Sequence, residues 1–100
     1  MLVIVGLSKS PKGTIRVSVA RPQRGSRTTR KYPSEREAAA VLKQIGVGVD
    51  AVNYYVFKLL PWVCSHEELS FPPMNIPQEE LLLMGFRGSP VAEDAFTRSR

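Results

Sequence analysis

Cationic side chains recur at Arg21, Arg24, Arg27, Arg30 and Lys31, with Gly25, Ser26, Thr28 and Thr29 between them. Guanidinium groups, small hydroxyls and a flexible glycine are the groups that grip phosphate oxygens. The segment therefore reads as a candidate polyanion site, with a nucleic-acid backbone as its natural ligand. Lys9, Lys12 and Arg16 extend the patch, and Tyr32 offers a stacking face. The same composition also suits a solvated loop kept basic for solubility. No helix-turn-helix, zinc-finger, RRM or KH signature accompanies it. Two helices flank Gly46-Val47-Gly48, but the second is apolar where a recognition helix is polar.

A second constellation is apolar. Val52, Tyr55, Val56, Leu59 and Leu60 form one helical stripe, and Tyr54 and Phe57 lie off it. Trp62, Val63 and Phe71 extend the apolar surface. A helix that is apolar nearly all round must be buried by its own chain or by a partner. Tyr54, Phe57, Trp62 and Phe71 are thus candidate residues of a partner interface, and the bland reading makes the same helix the central core element. The run Val56-Phe57-Lys58-Leu59-Leu60 departs from an LxxLL docking motif at its first position.

The third constellation is Cys64-Ser65-His66-Glu67-Glu68. Cys and His two apart can both hold zinc, but structural zinc takes four ligands and catalytic zinc three, and the chain has one cysteine and one histidine. Neighbouring residues do not form a nucleophile–base–orienter triad by adjacency. Gly46-x-Gly48 follows a helix and fails the context of a dinucleotide fingerprint. The acid pairs Glu67/Glu68, Glu79/Glu80 and Glu93/Asp94 sit near helix starts, where dipole complementarity explains them. No catalytic residue, metal or cofactor is assigned, and the chain is expected not to be an enzyme.

These groups need elements to position them. Leu2 to Leu7 is apolar on both faces, as in a strand covered on both sides or central in its sheet. Ser10-Pro11-Lys12-Gly13 reads as a type I turn. Thr14 to Ala20 alternates Ile15, Val17 and Val19 with Arg16 and Ser18, a half-buried strand, so the two make a β-hairpin. Arg21 to Arg27 reads as a loop. Thr28 to Tyr32 is a candidate third strand, since two strands alone are marginal in water. Ser34 to Glu37 is a capping box opening a helix with Ala38, Val41, Leu42 and Ile45 on one stripe. Gly46 closes it with Val47 against Leu42. Asp50 is expected to cap the middle helix, which ends before Pro61. Cys64 to Pro73 reads as a connector. Pro77 starts a third helix, and Gly85-Phe86 repeat the glycine cap.

The fold class expected is α+β, an N-terminal antiparallel β-hairpin or three-stranded meander packed against three or four short helices. Residues 1–86 form one domain, and residues 87–100 a polar tail or one short helix with Val91, Ala92, Ala95 and Phe96 inward. The chain has 100 residues, which suits one core. Its charge is uneven: residues 1–36 hold nine cations against one acid, net +8, and the remainder is net −3. A basic half attracts polyanions and also pairs with an acidic half of another copy. With one cysteine and neither a leader-like cationic start nor a membrane-length apolar run, the cytoplasm is expected. The leading functional expectation is a non-enzymatic module that self-associates or docks a protein through the middle helix. The alternative is nucleic-acid or polyanion binding through residues 21–31.

Overall fold

A computed structural model describes residues 1–63 and 67–86. Strand β1 (Leu2–Lys9) turns at Ser10-Pro11-Lys12-Gly13 into β2 (Ile15–Arg21). The turn closes with Gly13 N–H on the Ser10 carbonyl at 2.9 Å, and the Ser10 hydroxyl accepts from Thr14 N–H at 3.0 Å. This is the expected hairpin. A short 3-10 turn, Pro22–Arg24, leads into β3 (Ser26–Tyr32), antiparallel to β2 along its whole length. The meander is thus three-stranded. Of the expected 21–27 loop, Pro22–Arg24 and Gly25 form the connection, while Arg21, Ser26 and Arg27 belong to the strands on either side.

Beyond the meander, the free edge of β1 is paired by the segment expected to be a connector. Strand β4 (Glu68–Ser70) pairs with Gly6–Ser8, and β5 (Met74–Asn75) pairs with Leu2 and Val3 further along the same edge. Phe71 N–H on the Val5 carbonyl and Ile76 N–H on the Met1 carbonyl continue the ladder. Pro72 and Pro73 lack the donor a ladder needs, so the pairing breaks there. The sheet order is β3-β2-β1-β4, with β5 also on β1.

Helix α1 (Glu35–Ile45) begins as expected. Ser34 Oγ accepts from Glu37 N–H and donates to the Glu37 carboxylate, both at 3.3 Å. It ends in a Schellman cap, with Gly46 at φ 115° and Val47 N–H on the Leu42 carbonyl at 3.0 Å. The next helix, α2, starts at Val49–Val52 with Gly48 as its cap. Asp50 lies inside the first turn, not at the expected cap. From Asn53 to Leu59 the helix widens to π-type bonding, Leu60 N–H reaching the Tyr55 carbonyl, and Leu60–Trp62 tightens to 3-10. The buried residues explain the wide wind. Val52, Val56 and Leu60 are all fully buried and stand four residues apart. In an α-helix each such step drifts by about 40° one way, and the π-type stretch turns less per residue, which offsets that drift along the buried line. Helix α3 (Gln78–Leu83) ends in a second Schellman cap, Phe86 N–H meeting the Leu81 carbonyl at 2.8 Å.

The architecture is α+β: an antiparallel sheet with short helices packed against one face. Val3, Val5, Leu7, Ile15, Val17 and Val19 point to that face. They meet Leu42 and Ile45 of α1, Val52, Val56 and Leu60 of α2, and Leu81 and Phe86 of the α3 end. No helix among the described residues is long and apolar enough to cross a membrane. The Cys64–His66 motif and the 87–100 tail lie outside the described residues.

Candidate functional sites

The cations of the 21–31 segment do not form one patch. Strand β3 points alternate side chains to opposite faces. Val17 pairs with Arg30 and Ile15 with Tyr32, so Arg30 and Tyr32 belong to the helix-covered face. Ala20 pairs with Arg27 and Arg16 with Lys31, so Arg16, Arg27 and Lys31 belong to the uncovered face. Arg24 is exposed in the 3-10 turn.

Arg21 is the larger correction. It was expected on a solvated loop, but it ends β2 and is fully buried, 0% exposed. Its guanidinium donates to the Phe86 carbonyl, from Nε to Gln78 Oε1 at 3.3 Å, and from Nη1 to Thr28 Oγ1 at 3.4 Å. Burial, and secondarily the like charge of Arg24, push it below its ordinary pKa. Arg30 Nη1 reaches the Gly85 carbonyl at 3.5 Å. Both arginines therefore bind carbonyls of the Gly85–Phe86 segment that follows α3, and tie it to the sheet. Tyr32 is half-buried on the same inner face, so it offers no stacking surface beside Arg27 or Lys31.

The uncovered face has its own order. Across β3-β2-β1-β4, one row reads Lys31, Arg16, Ser8, Glu68 and the next reads Thr29, Ser18, Gly6, Ser70. Arg27 pairs with Glu68 and donates to Ser18 Oγ at 3.2 Å, and Ser18 Oγ donates to the same Glu68 oxygen at 2.8 Å. Arg16 Nε donates to Ser8 Oγ at 3.2 Å. Ser8, Arg16, Arg27, Thr29, Glu67 and Glu68 line an open depression of about 420 Å³. A second depression, at the hairpin tip, is bordered by Ser10, Lys12, Thr14, Arg16 and Lys31. The sequence signal that marks this face is Gly6. A Cβ there would lie 2.7 Å from Glu68 Cδ and 2.9 Å from Ser18 Oγ. Glycine in mid-strand marks such a close approach.

The apolar candidates separate as well. Tyr54, Phe57 and Trp62 are exposed, Trp62 by 85%. Phe71 is not a surface residue: it is 2% exposed, its N–H is in the sheet ladder, and its ring lies 4.4 Å from that of Tyr55. Leu82 and Leu83 of α3 are also exposed, while Leu81 is buried and Met84 packs partly against the core. Among the described residues no group of three or more His, Cys, Asp or Glu side chains comes together as a metal would need.

Among the described residues the chain is thus an α+β domain with one sheet face covered by helices and one left bare. No family model matches it, and no curated protein or solved structure matches it either.

Proposed function

We propose that the protein is a non-enzymatic association module that pairs with a second copy of itself through α2. The observation that carries this reading is the exposure of Trp62, Tyr54 and Phe57 on one helical segment. Buried Val52, Val56 and Leu60 recur every four residues. Exposed Asp50, Tyr54, Lys58 and Trp62 recur at the same interval, two residues out of phase, and so lie on the opposite side of the helix. Aromatic anchors of this kind dominate interface energetics.

Charge favours a second copy as the occupant. Asp50 and Lys58 stand symmetrically about Tyr54. A two-fold axis beside Tyr54 brings Asp50 of one copy to Lys58 of the other, and does so twice. Sedimentation equilibrium tests the pairing. A dimer is expected, with Trp62→Ser monomeric, Lys58→Glu weakened, and the swap D50K/K58E restored. A wild-type chain that stays monomeric at high micromolar concentration ends the reading.

A second reading, polyanion binding, is favoured by the gathering of Arg16, Arg27 and Lys31 with Ser8 and Thr29 on a sheet face that no helix of the described residues covers.

A further inference from the structure

Resting on that second reading, we infer that the bare sheet face binds the phosphate backbone of duplex nucleic acid without reading its sequence. At the centre of this face stands Glu68. Its carboxylate lies flat on the sheet over Gly6, held by Arg27 and the Ser18 hydroxyl. Ser18 is 3% exposed and lies beneath it. A guanidinium, a hydroxyl and a glycine that clears the floor form an anion cradle, and the chain's own carboxylate occupies it. A phosphate oxygen makes the same contacts with the same groups. Glu68 is therefore the competitor that an external anion displaces, and only part of its hold is strong, because Arg27 is 54% exposed and screened by water.

The rest of the face fits a polymer better than a single anion. The Lys31–Arg16 row and the Arg27 position lie four residues apart along β3, roughly 13 Å. The row between them is Thr29, Ser18, Gly6 and Ser70, whose own side chains are small, and Glu68 and Arg27 lean across it. Lys12, at the hairpin tip, continues the cationic line past Arg16 and Lys31.

The missing chemistry decides the form of the ligand. Binders of single strands stack bases on aromatic rings. No aromatic side chain of the described residues lies on this face: Tyr32 is on the inner one, and Tyr54, Phe57 and Trp62 are on α2. Phosphate contacts alone carry affinity but no base readout, so binding is sequence-independent and strongly salt-dependent.

The test is fluorescence anisotropy with a labelled mixed-sequence DNA duplex, the matching RNA duplex, and each single strand, using the full chain. Duplex is expected to bind more tightly than single strand. With three phosphates neutralised, raising salt from 50 to 200 mM weakens binding about 40-fold. R16A/K31A is expected to weaken binding and flatten the salt slope, and Glu68→Gln to tighten binding several-fold by freeing Arg27. Lys43→Ala, on α1, leaves it unchanged, and circular dichroism confirms that each variant is folded. Tighter binding of single strands overturns the duplex assignment while the polyanion reading stands. Loss of affinity in Glu68→Gln, or unaltered affinity in R16A/K31A, overturns the site. No binding by any probe at low salt overturns both.

Discussion

Arg27 and Arg30 are three residues apart on β3, yet they do opposite work. Arg30 turns inward over Gly85 and, with Arg21, holds the carbonyl end of α3 against the sheet. Arg27 turns outward to a carboxylate that water and other anions can reach. The difference lies in the register with β2, which pairs Arg30 with Val17 and Arg27 with Ala20. Arg21 on the covered face is structural, because the Phe86 carbonyl it serves is buried, and Arg30 adds an exposed contact beside it. On the bare face Arg27 is held by Glu68 and Arg16 by Ser8, so a ligand there has to exchange with contacts already made.

The sharpest way to break this contrast is Arg21→Ala. The substitution removes a wholly buried side chain and leaves the buried Phe86 carbonyl without its guanidinium donor. A loss of about 3 kcal/mol is expected from the cavity and the orphaned acceptor together. Urea unfolding measures it, and a loss below about 1 kcal/mol means that Arg21 is not the latch on α3. Gly85→Ala strikes the other half of the latch. Gly85 sits at φ 91°, and a Cβ there overlaps the Arg30 guanidinium. About 2 kcal/mol is expected, because the backbone strain remains even after Arg30 swings away. Combining Gly85→Ala with Arg30→Ala relieves the overlap and leaves the strain, so thermal unfolding of the pair reports both terms.

How much of this was legible in the chain follows from which forces act locally. The hairpin turn, the Ser34 capping box and the two glycine caps each lie within six consecutive residues, and each formed where its residues demanded. The three-stranded meander followed from alternation. What the sequence concealed was long-range. Arg21 is separated from Phe86 by 65 positions, and nothing near it in the chain announces a buried carbonyl. Phe71 looked like surface because Pro72 and Pro73 follow it. Its partner strand begins at Leu2, so only three-dimensional pairing shows it buried in a ladder. The wide wind of α2 was readable in principle, in the four-residue spacing of Val52, Val56 and Leu60, but an α-helical stripe accommodates the same residues on paper. Gly6 was the most informative missed residue. In an otherwise apolar strand it signals that some group crosses the sheet there.

Gly6→Ala tests that signal at a smaller scale. The new methyl meets Glu68 and Ser18 at under 3 Å, and overpacking of this kind costs about 1 kcal/mol when one neighbour is a movable side chain. In a Glu68→Ala background the cost should fall, since only Ser18 then crowds the methyl. Equal costs in both backgrounds show that Glu68 does not lie on Gly6 in solution.

Arg27→Ala closes the comparison, with the smallest effect on folding. Its partner Glu68 is 30% exposed and keeps its bond from Ser18 after Arg27 is gone. An exposed ion pair contributes about 0.5 kcal/mol, so the variant should unfold within that distance of wild type, at roughly one sixth of the effect of Arg21→Ala. The inner and outer arginines then differ in kind as well as place. If Arg27→Ala instead destabilises as strongly as Arg21→Ala, the Arg27–Ser18–Glu68 group is a structural clasp for the short strand β4, and the bare face loses its claim to an exchangeable anion.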